Sequence, residues 1–364
     1  MEKRRIVTLG FFIVLVVALG LAAFFVIASH RLNALASMSF DDMLRYTTKD
    51  NEDAIITVGV VRDGRASFTV YGENGTVLPS HEFDYEVGSV TKTFTASLLC
   101  KAVYEGKLLL LDSIDQYITL SPKSYYPNFL RLVTHTSGYK SHYLDRQMVT
   151  NFLRREKNDF YGISSEALTS KMGKVPVKDQ DYPFKYSNFG FAVIGSALAE
   201  AYGIDFRTLM NDFVRFDLGL ENTYISNGVG NLKGYWKWDR DDGYLPAGAI
   251  ISTISDLLTY VQLHLSGELP YLALGHEVLA PVSATTKQYE KMGIRIDAIG
   301  VGWMIDTEDN IIWHNGGTSN FNSYIAFDKE RQLGVVVLSN LTPNYRIPAT
   351  VMGAKLIKTL QNEP

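Results

Sequence analysis

Residues 86–94 read EVGSVTKTF, and this stretch decides the fold and the chemistry that the sequence predicts. Ser89 and Lys92 lie three residues apart, close to one helical turn, so their side chains project from the same face. Residues 89–105 have helical composition, and Gly106 follows as a typical C-terminal glycine. Burial on an apolar helix face and the positive end of the helix dipole both favour a neutral lysine. The segment therefore predicts a nucleophile and a base within one turn.

The same spacing occurs elsewhere by chance. Ser137 and Lys140 also match it, but Gly138 and the polar residues around it indicate a turn. The backbone N–H of Ser89 lies in a first helical turn, where it has no intrahelical partner and could point at a developing oxyanion. A catalytic role for the first pair thus depends on support from the rest of the chain.

Composition limits the classes of function. The chain has 364 residues, 46% of them hydrophobic, which is enough for a large packed core. A net charge of −4 gives no basic bias, so no nucleic-acid partner is predicted. Cys100 is the single cysteine, which excludes an internal disulfide and fits a core position. No metal or other cofactor is predicted, because the histidines lack the spacing of metal ligands. Residues 239–243 resemble the start of a calcium-binding loop, but the twelfth position of that loop is Ile250, which cannot bind calcium. A solvated turn is therefore expected there.

The N-terminus predicts a membrane segment or a signal peptide. Residues 6–28 carry no charge and would span about 35 Å as a helix, enough for a bilayer core. This run exceeds the roughly 7–15 residues of a signal-peptide core, which favours a retained anchor, although residues 34–36 (ALA) leave cleavage open. The basic residues within 1–5 predict a cytoplasmic tail, a single pass through the cell membrane and an extracytoplasmic remainder. Residues 29–53 are expected to form a linker, with a short helix capped by Ser39 or Asp41.

Strand patterns lie at both ends of the remaining chain. Two β-branched runs flank Asp63-Gly64, a hairpin signature. The predicted strands are residues 54–61, 66–71, 299–305, 310–314, 322–327 and 333–339, and the predicted helices are 89–105, 190–202, 206–215, 253–265 and 348–360. The pattern predicts an α/β (α+β) domain over residues 54–361, in which N- and C-terminal strands form one antiparallel sheet flanked by helices. A large, mainly helical insertion is expected at about 116–267.

Two further motifs carry candidate site residues. Tyr186 and Asn188 lie in a loop directly before a glycine-rich helix start, where side chains can be aimed into a cleft. A similar Tyr-x-Asn at residues 126–128 lacks that context. His314-Asn315-Gly316-Gly317 ends an apolar strand, and its glycines would let a ligand lie against the strand edge. The N–H of Gly317 could complete an oxyanion hole.

The order of these motifs resembles the serine β-lactamase and penicillin-binding-protein superfamily, in particular its class C β-lactamase-like branch. Ser-x-x-Lys, Tyr-x-Asn and a His-x-Gly strand occur in that order. Residues 132–138 (LVTHTSG) are similar to a turn motif of the same family, and Pro246-Ala247-Gly248 precedes a helix as expected. The resemblance covers about residues 54–360.

The resemblance implies a serine acyl-enzyme mechanism. Ser89 would attack a carbonyl, Lys92 and Tyr186 would share the proton transfers, and Asn188 would hold the substrate amide. The oxyanion N–H groups would come from Ser89 and from Gly317, which follows Gly316.

His314 replaces the lysine of true β-lactamases, as in some D,D-peptidases and many esterase- or peptidase-like relatives. An unperturbed histidine loses its proton near pH 6.5, so if His314 faces the substrate, as expected, it would attract a carboxylate only below that pH. The alternative is a partly buried strand histidine that is hydrogen-bonded to its neighbours. His135 is expected to be structural. Four aromatic side chains either line a substrate rim or pack in the core: Tyr235, Trp236, Trp238 and Tyr244.

The predicted function is that of a membrane-anchored extracytoplasmic serine hydrolase. Its expected substrates are D-amino-acid peptides or related amides and esters, as in D,D-carboxypeptidases, peptidases and esterases. The alternatives are a class C-type β-lactamase and a penicillin-binding sensor that is acylated without turnover. The expected partners are a small peptide, amide or ester substrate and the membrane.

Overall fold

The computed structural model describes residues 34–363, so the predicted tail and membrane segment (residues 1–28) lie outside the described residues. Within that range the chain forms an antiparallel nine-stranded sheet and a separate three-stranded sheet. The strands are β1 (Ile56–Arg62), β2 (Arg65–Tyr71), β3 (Val77–Leu78), β4 (Tyr85–Glu86), β5 (Tyr224–Ile225), β6 (Ile250–Ser252), β7 (Ala280–Pro281), β8 (Ala298–Ile299), β9 (Met304–Asp306), β10 (Ile311–Gly317), β11 (Asn322–Asp328) and β12 (Leu333–Ser339).

Helices cover the large sheet and fill the insertion. They are α1 (Phe40–Thr48), α2 (Thr91–Tyr104), α3 (Phe129–Val133), α4 (Arg146–Arg154), α5 (Ser165–Lys174), α6 (Asn188–Tyr202), α7 (Phe206–Asp212), α8 (Leu245–Gly248), α9 (Ile254–Ser266), α10 (Lys287–Lys291) and α11 (Ala349–Gln361). Among the residues the structure describes, no single helix is long and apolar enough to cross a membrane; the bent pair Asn188–Tyr202 and Phe206–Asp217 passes by length and composition only.

The two ends of the chain build one sheet, as the sequence predicts. Its order is β3-β2-β1-β12-β11-β10-β9-β8-β7, and β1 pairs with β12 along its whole length, from Ile56 opposite Ser339 to Arg62 opposite Leu333. The predicted hairpin is present, and Asp63 (φ 50°) and Gly64 (φ 74°) adopt the positive φ values that a tight two-residue turn requires. The antiparallel α/β fold is therefore confirmed.

Both faces of the sheet are covered, which explains the continuous apolar run of β12. Val335 and Val337 point into a core shared with α1 and α11, whereas Val336 and Leu338 point into the larger core shared with α2 and α9. Side chains alternate between the faces of a strand, so both sets must be apolar here. On β10 the same alternation puts His314 on the side of α2.

Several boundaries differ from the sequence prediction. The single strand predicted at residues 299–305 is a hairpin, β8 and β9, because Gly302 (φ 73°) reverses the chain and Gly300 N–H donates to the Trp303 carbonyl (2.9 Å). Ser89 lies in a 3₁₀ turn, Gly88–Val90, and α2 begins only at Thr91.

The predicted linker helix is α1, and Ser39 is its cap, accepting from Asp42 N–H (3.1 Å). Sequence patterns missed α4, α5 and the small sheet, whose order is β4-β6-β5.

A close helix crossing places α8 beside α2. Gly195, in the middle of α6, faces Pro246, and a Cβ at Gly195 would lie 2.0 Å from Pro246 Cγ. Only glycine permits this approach, since real Cβ contacts are not that short. The crossing fixes the position of Ala247, the next residue of α8.

We expect Gly195→Ala to destabilise the protein by about 1–3 kcal/mol, because the added methyl overpacks the crossing. The sign is informative, since alanine in place of glycine ordinarily stabilises a helix interior by about 1 kcal/mol. Ser196→Ala is the matched control, because its half-buried side chain already accommodates a Cβ. Denaturant unfolding of both variants measures the difference; a Gly195→Ala protein at least as stable as the native chain would contradict the crossing.

Candidate active site

The predicted nucleophile and base are in contact. Lys92 Nζ lies 3.0 Å from Ser89 Oγ and donates a hydrogen bond to the Ala247 carbonyl (2.6 Å). Ser89 is half-buried, whereas Lys92 is fully buried. Sequence analysis singled out Ala247 as part of a motif but gave it no role. The structure shows that its carbonyl orients the amine.

Burial sets the charge of Lys92. Its pKa lies well below the usual lysine value because the ammonium form is desolvated in the interior. A neutral amine that donates one N–H to Ala247 can direct its lone pair at the Ser89 hydroxyl. The expectation of a neutral lysine on the same face as Ser89 therefore agrees with the geometry.

Tyr186 packs over this pair. Its ring centroid lies 5.0 Å from Lys92 Nζ, and its hydroxyl is buried without a well-formed hydrogen bond among the described residues. Burial raises the pKa of this hydroxyl above its usual value, and the nearby Ser89 hydroxyl opposes only part of the rise. Tyr186 therefore keeps its proton at neutral pH and is suited to donate it.

His135 positions the Tyr186 loop, in keeping with its expected structural role. Its Nδ1 accepts from the backbone N–H of Ser187 (3.1 Å), and its ring lies 4.7 Å from the Tyr186 ring. Burial lowers the pKa of His135 well below its ordinary value, so the ring stays neutral and remains an acceptor.

His314 is placed differently from the expectation. Its side chain is buried, and burial, with the nearby Lys92, lowers its pKa to about 3. The hypothesis that it attracts a carboxylate by titrating near pH 6.5 is therefore wrong, because the ring is neutral throughout that range. Nδ1 donates to the Asn315 carbonyl (2.6 Å), which leaves Nε2 as a buried acceptor without a partner in the described chain. The centroid of the Tyr186 ring lies 6.2 Å from the centroid of the His314 ring.

Glycines bring two backbone segments together at Ser89. A Cβ at Gly316 would lie 2.9 Å from Ser89 N, and a Cβ at Gly88 would lie 2.5 Å from Gly317 N. The N–H groups of Ser89 and Gly317, the two predicted oxyanion donors, thus belong to backbone segments in direct contact. Side chains at Gly88 or Gly316 would separate them.

Ser89 and Gly317 both line two cavities. The larger, about 330 Å³, includes Tyr186, Tyr289, Trp313 and Asn315, together with Pro343 and Thr350 near α11. The smaller, about 80 Å³, includes Asn188 and three of the rim aromatics, Trp236, Trp238 and Tyr244. A substrate carbonyl at Ser89 would therefore have one substituent in each cavity.

Asn188 begins helix α6 at the wall of the smaller cavity. Its Nδ2 donates to Ser141 Oγ (3.1 Å), which leaves its carbonyl oxygen for a substrate N–H. Tyr235, the fourth rim candidate, packs instead: its hydroxyl donates to the Asp84 carbonyl (2.5 Å) and its ring lies 5.0 Å from Phe321.

The walls of both cavities carry no charged side chain contributed by the described residues. They are aromatic, aliphatic, amide, hydroxyl and backbone groups. His314, the one cation that the sequence placed here, is neutral and lines neither cavity. Within residues 34–363, no group of three or more histidine, cysteine or acidic side chains is placed to hold a metal ion.

A family model described as Beta-lactamase matches residues 48–351. A protein named Beta-lactamase from Pseudomonas fluorescens is 26% identical, and the match covers 89% of this chain and 98% of that protein. Protein flp from Staphylococcus aureus (strain N315) is 23% identical over 72% of this chain, which spans about half (53%) of that longer relative.

Solved structures show the same fold. A structure titled Beta-lactamase/D-alanine Carboxypeptidase from Yersinia pestis, complexed with citrate, matches with a TM-score of 0.69 and 17% identity, covering 88% of this chain and 96% of that chain. A structure titled "A class C beta-lactamase" matches with a TM-score of 0.69 and 21% identity, covering 92% and 98%. At these identities the likeness concerns the fold alone.

Glu86 is a site residue that sequence reasoning left without a role. It is buried, and it accepts from the backbone N–H of Trp236 and from the Thr318 hydroxyl (2.7 Å). The Glu86 carboxylate thus connects Trp236, in the wall of the smaller cavity, to Thr318, the residue after Gly317. Burial raises the pKa of Glu86 to about 7, although both hydrogen bonds and Lys157 oppose the rise. Its position three residues before Ser89 was the available signal.

We expect Glu86 to make stability depend on pH. Its pKa is about 7 when folded and 4.5 when unfolded, so the folded protein binds the proton more tightly. Its contribution is fully present below pH 4.5 and is lost as pH rises through about 7, by at most about 3 kcal/mol. Glu86→Gln should therefore reduce the loss of unfolding free energy between pH 5 and 8.

Denaturant unfolding at pH 5 and pH 8 measures the slope of the free energy of unfolding against pH. Asp242, whose buried carboxyl also has its pKa raised to about 7, is shared by both proteins and cancels in the difference. The exposed Glu166→Gln is the control and should leave the slope unchanged. Equal slopes in Glu86→Gln and the native chain would show that this carboxylate does not titrate in that window.

Proposed function

The chain belongs to the beta-lactamase family, and on that premise we propose that it is a serine hydrolase that works through a Ser89 acyl-enzyme. The main support for this proposal is that Lys92 is buried and neutral, and that its Nζ lies 3.0 Å from Ser89 Oγ. We propose carboxylic esters or amides, including D-amino-acid peptides, as the substrates.

Lys92 is the base of the acylation step. As Ser89 Oγ attacks the carbonyl carbon, its proton passes to the Lys92 lone pair, and the oxyanion forms beside Ser89 N–H and Gly317 N–H. The Ala247 carbonyl keeps the amine oriented during the transfer.

Tyr186 is the acid of the same step. Its protonated hydroxyl donates to the leaving oxygen or nitrogen as the C–O or C–N bond breaks, and it regains a proton from Lys92. Water then attacks the acyl-enzyme and gives one proton to Lys92, and a proton returns from Lys92 to Ser89 Oγ as the acyl C–O bond breaks and the carboxylic acid is released. His314 is uncharged at neutral pH, and we assign it no proton transfer.

The uncharged walls favour substrates that are neutral on both sides of the reacting carbonyl. A buried carboxylate without a cation is costly, so a substrate ending in a free carboxylate should bind poorly in the larger cavity. Within the predicted substrate class, this favours esters and internal amides over a C-terminal D-amino acid.

We place this domain, residues 54–361 with the insertion at 116–267, outside the cytoplasm. Residues 6–28 would anchor it in the cell membrane after the cytoplasmic residues 1–5, and 29–53 would connect the two. The support is the length of the uncharged run and the basic residues before it.

A second candidate function is β-lactam hydrolysis. The similar Pseudomonas fluorescens protein carries the name Beta-lactamase, and the match covers nearly its whole length. Acylation by a β-lactam without release would instead indicate the sensor role. Both alternatives use Ser89, and they are separated by whether the acyl group leaves.

We expect a fluorophosphonate to label Ser89, because Lys92 makes it the activated hydroxyl. Ser89→Ala should abolish labelling and lower ester hydrolysis by about 10⁴-fold or more, and Lys92→Met should approach that loss, since a nucleophile and its base act as a unit. Peptide mapping by mass spectrometry locates the adduct. Ser137→Ala is the control for the second Ser-x-x-Lys match; an adduct on Ser137 would refute the assignment.

We also expect a neutral ester to be hydrolysed at least about 10-fold faster, as kcat/KM, than the same ester with a carboxylate on its leaving group. With His314 neutral above a pKa of about 3, this ratio should stay constant from pH 5.5 to 8. Comparing two substrates cancels the titration of Lys92, which both share. A ratio that rises with pH, with a midpoint near 6.5, and does so equally in Glu86→Gln, would show that His314 is charged and faces the substrate.

A further inference from the structure

Helix α4 exposes its apolar side. Met148 and Asn151 face the interior, whereas Val149, Phe152 and Leu153 face solvent, with exposures of 45%, 77% and 74%. Leu144, just before the helix, is 74% exposed. A helix of a soluble domain normally does the reverse, and clustered exposed apolar groups mark an interaction site.

The buried asparagine explains how this orientation is held. Asn151 Nδ2 donates to the carbonyls of Asp159 (3.1 Å) and Tyr161 (2.8 Å), and its Oδ1 accepts from Gln147 (3.0 Å). These bonds tie the following loop beneath the helix. Replacing asparagine by an apolar residue would not preserve them, so the outward direction of Phe152 is fixed by polar contacts.

Positive charge accompanies the apolar groups. Arg146, Arg154 and Arg155 are exposed, and none of their guanidinium groups forms an ion pair with any residue from 34 to 363. Of the nearby acids, Asp145 caps the helix by accepting from Gln147 N–H, and Glu156 pairs with Lys237; Asp159 is exposed. The surface is therefore apolar with a basic margin.

We propose that this surface, the α4 face (Leu144, Val149, Phe152 and Leu153 with the three arginines), seats the domain on an anionic phospholipid bilayer. An apolar helix face flanked by arginine matches the bilayer interface, where the apolar groups enter the acyl boundary and the guanidinium groups meet lipid phosphates. A neutral protein partner would leave the three arginines without counterparts.

The α4 face adjoins the active site. Ser141, before α4, accepts from Asn188, and Phe160, after it, lines the smaller cavity. The Lys157 carbonyl accepts from the hydroxyl of Ser319, two residues beyond Gly317 (2.8 Å). The segments on both sides of a bilayer-bound α4 would therefore contact the active site, which favours ester or amide substrates carried by a lipid. That corollary rests on the proposed function, whereas the docking itself does not.

The test uses the full chain in lipid nanodiscs. Phe152→Cys is labelled with an environment-sensitive fluorophore, and the native Cys100 stays unlabelled because it is buried and its pKa is raised. Leu111→Cys is the matched control: Leu111 is 71% exposed and lies in the segment after α2, a helix about 20 Å long that begins beside Ser89.

In discs of phosphatidylcholine that contain about one third phosphatidylglycerol, spin labels attached to the lipid should quench the probe at 152 at least about 3-fold more than the probe at 111. This difference in quenching between positions 152 and 111 should largely disappear in pure phosphatidylcholine, which lacks anionic lipid. It should also largely disappear in the double variant Arg154→Glu/Arg155→Glu, which lacks the guanidinium groups that bind that lipid. Thermal unfolding of each variant, which needs no activity, verifies the fold.

Equal quenching at both positions in anionic discs would overturn the proposal. Quenching that is unaffected by the arginine variants would also overturn it. The proposal would fail as well if the probe at 152 became protected in proportion to the number of protein chains per disc, because the α4 face would then contact a second copy of the protein. Because the readout is lipid contact and not hydrolysis, docking and the proposed hydrolase function can fail separately.

Discussion

The burial of one amine is the constraint on which the rest of the structure depends. A lysine inside a protein is costly unless it is neutral and its polar atom is satisfied. Here α2 passes through the larger core and Lys92 is fully buried. Among the described residues its nitrogen contacts the Ala247 carbonyl, the Ser89 oxygen and the rings of Tyr186 and Phe191. The crossing at Gly195 brings that carbonyl within reach. The chemistry of Ser89 therefore rests on packing two helices away.

Sequence patterns predicted the elements whose periodicity is local. Strands β11 and β12, the β1–β2 hairpin and the helix after Ser89 could be predicted because each has its own apolar or β-branched run or its own turn residues. The hairpin of β8 and β9 could not, because its strands are too short for alternation and only Gly302 marks the turn. Helix α4 was also missed, although Met148 and Phe152, and Val149 and Leu153, have the i, i+4 spacing of a helix face.

The candidate site divides in the same way. Its residues Ser89, Lys92, Tyr186 and Asn188 could be named because motif order carries them. Charge states could not, because a pKa depends on the surroundings that the whole fold creates. His314 was assigned an ordinary histidine pKa and is buried. Asp242, expected in a solvated turn, is buried and accepts from Gly162 N–H (2.9 Å) and Asp239 N–H (2.8 Å).

The pairing of β1 with β12 has a consequence for how the protein is made. Strands β1 and β12, which pair in the interior of the sheet with Ile56 opposite Ser339, are the first and the last strands of the described chain to leave the ribosome. Contacts of such large sequence separation make folding slow, because the chain between them must be ordered as the loop closes. Until β12 arrives, β1 has an open hydrogen-bonding edge and an uncovered apolar face, both of which favour aggregation. A truncation before residue 333 would thus leave the Ser89 region complete in sequence and unable to fold.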